Sequence, residues 1–225
     1  MMHKYKALGV ALAAVLALSA LAAQAASASP LTVTGGGTTF YTGDQDKTPW
    51  IWTDGSLSAE CVATTITASS SGESVTETTW TATYDKCTGF GFALMHWNHN
   101  GCTYTFTTPT QISPGVVTWS ASNIHIVCPV GKSIEYTPTS FGVSVCTRFI
   151  NSQTPTGGHV VGRNVAGSSP TDVTLEITLE GIHYTGTGGV CGNSETHTNW
   201  KWTGNSTVSA FSNGGHSTLR SIKFS

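Results

Sequence analysis

Charged residues are scarce in this chain. Asp, Glu, Lys and Arg make up 10% of its 225 residues, against about 25% in an ordinary soluble domain. Ten basic and twelve acidic side chains leave a formal charge of −2. The basic residues form no stripe along the sequence, and proteins hold phosphates with such a stripe. We therefore expect no nucleic-acid partner.

Motifs that carry chemistry are also missing. The sequence has no Cys-x-x-Cys pair and no His-Glu-x-x-His, which are spacings typical of metal sites. It has no Gly-x-Ser-x-Gly elbow for a nucleophilic serine. We therefore predict no catalytic residues, no metal and no cofactor, and we expect that the protein is not an enzyme.

Long apolar runs are limited to one, from about residue 7 to residue 21, after two lysines and before Ala23-Gln24-Ala25. A basic start, a short apolar core and small residues at the end are typical of a secretory signal peptide. We predict cleavage after Ala25, with Ala28 as the alternative. Residues 26–225 would then be a single secreted domain, without a membrane span, carrying a formal charge of −4 (8 minus 12).

All six cysteines follow the predicted cleavage site. An even number of cysteines in an exported chain is typical of a disulfide framework. Six cysteines allow many pairings, so spacing guides the choice: two successive intervals of 26 positions each enclose a strand–turn–strand pattern. The predicted bridges are Cys61–Cys87, Cys102–Cys128 and Cys146–Cys191.

Threonine and alternating hydrophobicity dominate the remainder. Threonine favours strands, and the run from Asp172 to Tyr184 alternates inward Val, Leu and Ile with outward Thr and Glu. The fold class that follows is all-β: an antiparallel β-sandwich or barrel-like domain of about a dozen short strands, stapled by disulfides. We expect it to be a monomer.

Several local features are specific enough to be tested. Asn100-Gly101 predicts a tight hairpin between the strands on either side. A change of phase predicts bulges near Ser122-Asn123 and around Gly181. The stretch from His159 to Ala166 is expected to be an edge strand, and the glycine-rich stretch from Gly186 to His197 is expected to be a loop.

Two tryptophan pairs are candidate binding platforms. Trp50 and Trp52, like Trp200 and Trp202, are two positions apart, so both rings of a pair share one face of a strand. Exposed, such a pair could stack on sugar rings; buried, it is core. Lys201 must face water, which predicts that the later pair is buried. Core is favoured for the first pair too, but the sugar platform stays open.

A second candidate ligand site lies just before the Asn-Gly turn, where His96, Trp97 and His99 cluster. These side chains predict either a ligand rim or an ordinary turn with surface histidines. The second interpretation is favoured, because no metal-binding spacing supports the first.

Glu176 and Glu180 are the most obvious acid pair. Four residues along a strand span about 13 Å, whereas glycosidase carboxylates lie about 5–9.5 Å apart. A solvated sheet face is therefore the better interpretation of this pair.

Four strings resemble a family of uncharacterised secreted, cysteine-containing β-proteins from high-GC Gram-positive (actinobacterial) bacteria. They are Cys87-Thr-Gly-Phe-Gly-Phe-Ala, Asn100-Gly-Cys-Thr-Tyr-Thr-Phe, Ile126-Val-Cys-Pro-Val-Gly-Lys-Ser-Ile-Glu, and Gly181-Ile-His-Tyr leading to Cys191-Gly192. The resemblance implies export, a β fold and the disulfides. It supplies no substrate and no catalytic residues.

These features together predict a secreted, non-catalytic extracellular or cell-envelope-associated β domain that acts as a binding or surface module. Its expected partner is a cell-wall or extracellular glycan. The alternative is a polysaccharide-acting hydrolase or a carbohydrate-binding module. A groove with two neighbouring acids would favour the hydrolase, and a filled interior would favour the module.

Overall fold

The computed structural model describes residues 31–46, 48–54, 58–89, 93–144, 146–167, 172–188, 193–215 and 218–224. These residues form nineteen strands and one 3₁₀ turn at Ala121–Asn123, and they contain no α-helix. The strands are β1 (Leu31–Val33), β2 (Thr38–Gln45), β3 (Trp50–Thr53), β4 (Ser58–Ser71), β5 (Ser74–Val75), β6 (Glu77–Gly89), β7 (Ala93–Asn98), β8 (Thr103–Thr107), β9 (Thr110–Ser113), β10 (Val116–Ser120), β11 (Ile124–Val127), β12 (Ile134–Ser140), β13 (Val143–Ser144), β14 (Thr147–Ile150), β15 (Gly157–Asn164), β16 (Val173–Thr187), β17 (Asn193–Phe211), β18 (Leu219–Arg220) and β19 (Ile222–Phe224). The predicted all-β class is therefore confirmed, whereas the predicted signal peptide lies outside the described residues.

Alternation explains which face of each long strand is buried. In β16, Val173, Leu175, Ile177 and Leu179 are buried while the residues between them face outward. The predicted change of phase is also confirmed: the pairing of β16 with β17 shifts register between Leu179 and Ile182. β4 and β6 pair from Ala59 to Ala68. β16 and β17 are longer than expected, with 15 and 19 residues.

One end of the molecule is a closed, barrel-like ring of eight strands. Its order is β17, β3, β4, β6, β7, β12, β14 and β16, and β16 pairs again with β17. A closed ring leaves no free strand edge at this end. Its interior is filled by aromatic side chains: Trp50, Trp52, Tyr84, Trp97, Tyr136, Tyr184, Trp200 and Trp202.

At the other end the sheet opens into two wings. β6 leaves the ring and pairs with β8, which pairs with β11; β16 likewise pairs with β15, followed by β10 and β9. The small sheet β19–β1–β5 lies beside them. Trp80, Phe106, Trp119, Leu175 and Phe224 line an apolar cavity there of only about 20 Å³, room for roughly one water. The interior is therefore packed at both ends.

The predicted central hairpin is wrong, although its turn is present. Asn100 and Gly101 have φ of 50° and 80°, and the Cys102 amide donates to the His99 carbonyl at 2.7 Å. Among the described pairings, however, β7 pairs with β6 and β12, and β8 pairs with β6 and β11. β6 has 13 residues, and its two ends pair with different strands: residues 87–89 pair with β7, and residues 77–80 pair with β8. The turn therefore connects a strand at one end of β6 to a strand at the other end.

The predicted bulge near Ser122-Asn123 is also corrected. A 3₁₀ turn at Ala121–Asn123 interrupts the chain there. Before it, β10 pairs with β15, and after it, β11 pairs with β8. The change of phase in the sequence therefore marks a crossing between the two wings and not an irregularity within one strand.

Two further expectations about strands are wrong. β15, expected at an edge, pairs on both sides, with β10 and with β16. Much of the stretch expected as a loop from Gly186 to His197 is strand, because β16 ends at Thr187 and β17 begins at Asn193. Threonines continue the pairing there, since Thr185 lies opposite Thr196.

Two of the predicted disulfides are confirmed. Cys61 is bonded to Cys87 and Cys102 to Cys128, each pair with a Cα–Cα distance of 4.0 Å and a separation of 26 positions. Cys146 is also disulfide-bonded, but its predicted partner Cys191 lies outside the described residues. Stable disulfides indicate an oxidising environment.

Candidate binding groove

Trp50 and Trp52 lie in the core, with 0% of either side chain exposed. The Trp52 ring stacks on Trp202 at 4.8 Å and 5°. The Trp50 indole N–H donates to the Asn205 carbonyl at 3.0 Å. Neither ring offers a face to solvent, so the structure corrects their candidacy as ligand-binding residues. The burial predicted for Trp200 and Trp202 is confirmed.

Trp97 and His99 also belong to the aromatic interior. Trp97 is half-buried and stacks on Tyr136 at 4.8 Å. His99 packs on Tyr84 at 5.1 Å, and its Nε2 lies 3.3 Å from the Tyr104 hydroxyl. Burial lowers the pKa of His99 to about 4. The expectation of surface histidines is wrong for His99, because the turn at Asn100 folds it back over the ring.

His96 is the one predicted ligand residue whose side chain is exposed, and it lines a surface groove. The groove has a volume of about 720 Å³. β7 supplies Leu94 and His96, and β12 and the turn after it supply the rest. We call it the hairpin groove; its residues are Leu94, His96, Thr139, Ser140, Phe141 and Gly142.

Pairing of three strands positions these residues. Thr139 lies opposite Leu94 on β7, and the Thr139 hydroxyl donates to the Leu94 carbonyl at 3.4 Å. On the other side Ser140 lies opposite Val143, which leaves Phe141 and Gly142 as a two-residue turn. The groove is thus held by regular strands and closed by one tight turn.

Phe141 is the most unusual residue of the hairpin groove. Its side chain is 101% exposed, and that of Leu94 is 59% exposed. Phe141 has φ of 51° and Gly142 has φ of 78°. Two-residue turns of this kind strongly prefer Asn-Gly, because a bulky residue at positive φ is strained. Such strain concentrates at functional positions, so Phe141 marks this turn as a candidate site.

The sequence offered a weak indication of Phe141. Gly142, which follows it, is typical of a tight turn, but a phenylalanine before the glycine is not. Its exposure depends on β12 pairing with both β7 and β13, which local alternation does not reveal.

A second surface feature is polar. A cleft of about 600 Å³ is lined by Thr53, Asp54, Thr156, Gly157, Glu180, Gly181, Thr198, Asn199 and Lys201. We call it the polar cleft. Its lining includes two carboxylates, Asp54 and Glu180, because Thr53 on β3 pairs with Lys201 on β17. No local sequence pattern indicates this pair, because its two members lie on distant segments.

Both carboxylates of the polar cleft are engaged. The Tyr184 hydroxyl donates to Asp54 Oδ2 at 2.9 Å. Lys201 Nζ lies 2.8 Å from Glu180 Oε1. The hydrogen bond from Lys201 and its charge lower the pKa of Glu180, so Glu180 is ionised at neutral pH. Glu176, four positions before it on the same strand, also lies on the exposed outer face of β16, as predicted for this pair.

The described residues contain no group of three or more His, Cys, Asp or Glu side chains placed to hold a metal ion. Over the same part of the chain, no helix has the length and hydrophobicity to cross a membrane.

Comparison with known proteins adds no relative. The chain matches no family model, and searches of curated proteins and of solved structures find no significant match. The resemblance to secreted actinobacterial proteins therefore stays a prediction.

Proposed function

We propose that this protein is a secreted, non-catalytic β domain of the extracellular space or cell envelope, and that it binds a glycan in the hairpin groove. The observation that carries the proposal is Phe141, an aromatic ring held fully exposed at a strained turn. Strain of this kind persists where the surrounding structure enforces it and function uses it.

The chemistry of the hairpin groove fits a sugar. A sugar ring has an apolar face, which stacks on aromatic side chains, and a rim of hydroxyls. Phe141 and Leu94 supply exposed apolar surface. Thr139 and Ser140 supply hydroxyls and His96 supplies ring nitrogens, and these groups can donate and accept hydrogen bonds. The six lining residues include no Asp, Glu, Lys or Arg, which favours a neutral glycan.

Export is part of the proposal. The disulfides indicate an oxidising environment, and the predicted signal peptide would deliver the chain there. An extracellular location gives access to cell-wall and other extracellular glycans.

Packing supports the non-catalytic part of the proposal. Aromatic side chains fill the ring, and the hairpin groove lies on the outer surface at a turn, where a rigid scaffold commonly carries recognition. Glycoside hydrolysis needs an acid with a raised pKa, whereas the pKa of Glu180 is lowered.

The test is binding of the purified, disulfide-bonded protein to a glycan array and to isolated cell walls. Phe141→Ala removes a stacking ring and should weaken binding about tenfold or more, since 1.4 kcal/mol corresponds to a factor of ten. Val130→Ala is the matched control, because Val130 is 104% exposed but lies outside the groove. Equal binding by both variants would contradict the proposal.

A second candidate is hydrolysis of a polysaccharide in the polar cleft, favoured by the shared position of Asp54 and Glu180. Release of reducing ends from cell-wall polysaccharides measures it. Loss of that activity in both Asp54→Asn and Glu180→Gln, with Glu176→Gln as the active control, would establish the hydrolase. Absence of any release by the wild-type protein would exclude these substrates.

A further inference from the structure

Another surface of the molecule is rich in hydroxyl groups. The outer sides of β2, β4, β6 and β8 present hydroxyls in adjacent strands. Thr67 on β4 lies opposite Thr81 on β6, and Thr79 on β6 lies opposite Thr105 on β8. We call this surface the hydroxyl face and define it by Phe40, Thr67, Ser69, Thr79, Thr81 and Thr105.

Hydrogen bonds hold these hydroxyls in place. Thr67 Oγ1 and Thr81 Oγ1 are 2.7 Å apart, and Thr79 Oγ1 and Thr105 Oγ1 are 3.2 Å apart. A hydroxyl has one proton to donate and two lone pairs. The paired oxygens therefore keep lone pairs that can accept hydrogen bonds from a ligand, in positions that are ordered before binding.

An aromatic ring borders the hydroxyls. A depression of about 300 Å³ is lined by Phe40, Tyr41, Thr67, Ala68, Ser69, Thr79 and Thr81. Phe40 lies opposite Ser69 on one side and opposite Phe211 on the other. The face thus offers a half-buried aromatic strip beside ordered hydroxyls, the combination that suits a ring with one apolar face and a hydroxylated rim.

Charge limits the class of ligand. The seven residues that line the depression include none with a charge. Of the four acids on these strands, two lie at its borders: Asp44 on β2 is opposite Thr65, and Glu77 on β6 is opposite Thr107. The other two, Glu60 and Asp85, lie farther along β4 and β6. An uncharged, hydroxylated centre between two acids favours an uncharged ligand over an anionic one.

The shape of the face limits the size of the ligand. The row from Phe40 through Ser69 and Thr79 to Thr105 crosses four neighbouring strands, about 14 Å at the spacing of strands in a sheet. A shallow surface of that length has no walls to enclose one small sugar. It suits an extended chain lying across the strands.

We propose that the hydroxyl face is a second recognition surface, which binds an extended chain of an uncharged polysaccharide. It is independent of the hairpin groove. Thr88 lies opposite Leu94 of that groove, and Thr88 is seven positions from Thr81 along β6, or about 23 Å. Two surfaces at this distance let one molecule hold two chains, or two segments of one chain, with a gain in avidity.

The test measures partition of the disulfide-bonded protein onto regenerated cellulose and chitin, with polygalacturonate as a charged comparison. Thr67→Val, Thr79→Val and Thr81→Val together remove three hydroxyls while keeping β-branched side chains. The matched control carries Thr174→Val, Thr178→Val and Thr203→Val on the outer side of β16 and β17. A separate Phe40→Ala variant removes the ring.

We expect wild type and control to bind at least one uncharged polymer, the triple hydroxyl variant and Phe40→Ala to bind at least tenfold less, and polygalacturonate to bind none of them. Equal binding by the triple variant and its control overturns the proposal, as does the absence of wild-type binding to both uncharged polymers. A wild-type dimer that the triple variant converts to monomer also overturns it, because the face would then be an interface between copies.

Phe141→Ala in the same assay separates this proposal from the previous one. Loss of short-glycan binding with retained polymer binding assigns the two activities to different surfaces. Retention of short-glycan binding by Phe141→Ala, together with polymer binding that depends on Phe40 and the three threonines, would refute the hairpin groove and leave the hydroxyl face standing.

Discussion

Two histidines only three positions apart lie in different surroundings. His96 faces solvent in the hairpin groove, whereas His99 packs against Tyr84 and Tyr104. Desolvation disfavours the charged imidazolium, so the pKa of His99 falls from 6.5 to about 4. A three-residue step thus separates a candidate ligand residue from a structural one.

The lowered pKa of His99 makes folding sensitive to acid. In the unfolded chain His99 binds a proton below about pH 6.5, whereas in the folded chain it does so only below about pH 4. Stability is therefore complete above pH 6.5 and falls between pH 6.5 and pH 4, by about 3 kcal/mol in total. Urea unfolding at pH 7.5, 5.5 and 4.5 measures this loss. His99→Gln should reduce the dependence of the free energy of unfolding on pH. An unchanged dependence, or an equal effect of His96→Gln, would show that His99 is not its source.

Phe141 predicts a conflict between stability and binding. Because Asn is favoured where Phe141 has positive φ, Phe141→Asn should raise the free energy of unfolding by about 0.5–1 kcal/mol. The same change should abolish glycan binding at the hairpin groove. Thermal unfolding and the glycan array measure the two effects. Val130→Asn, at an exposed position without positive φ, should change neither; a destabilised Phe141→Asn protein would contradict the strain argument.

At the scale of elements, close packing of β3 on β17 depends on one glycine. A Cβ built on Gly204 would lie 2.6 Å from the ring of Trp50, closer than side chains approach in packed cores. Trp50 is fully buried and packs on Trp202 at 5.2 Å. A side chain at position 204 therefore has to push the indole out of its place among the other rings.

Gly204→Ala should lower the free energy of unfolding by about 1–3 kcal/mol, as overpacking does in cores. Gly214→Ala is the matched control, since a Cβ there meets only Phe40 at 3.8 Å. Urea unfolding and near-ultraviolet circular dichroism of the tryptophans measure the effect. Equal stability of the two variants would show that Trp50 can move aside at no cost, which would contradict its tight packing against Gly204.

At the scale of the whole molecule, the disulfides join segments that the sheet also joins. Cys102 precedes β8 and Cys128 follows β11, and these two strands pair. The bridge constrains the unfolded chain over 26 positions, and closing a loop of that length stabilises the fold by about 3.5 kcal/mol.

Replacing Cys102 and Cys128 together by Ala should lower stability by about 2–5 kcal/mol. Peptide mapping without reduction should first show both confirmed bridges, Cys61–Cys87 and Cys102–Cys128, in the wild-type protein. Reduction of the wild type should lower its unfolding midpoint, and the double variant should be less affected by reductant. A wild-type midpoint that reductant leaves unchanged would contradict a stabilising role.

Local pattern determined much of this protein. The two-residue alternation of β16 and of β6, the outward Lys201 between two buried tryptophans, the irregularity at Gly181 and two disulfides at equal spacing could all be predicted, because each depends on neighbours in the sequence or on simple spacing. The signal peptide, the single domain and the actinobacterial resemblance stay predictions.

Only the tertiary structure decided which strands meet. Alternation determines which face of a strand is buried but not which strands pair with it. The Asn100-Gly101 turn therefore predicts a hairpin, although β7 and β8 pair with other strands. Long-range register placed Asp54 and Glu180 on one cleft, buried Trp50 and Trp52 in a closed ring, and left Phe141 exposed to solvent. These outcomes depend on pairings between distant segments, and the free energy of such pairings depends on cross-strand neighbours that no short stretch of the sequence contains.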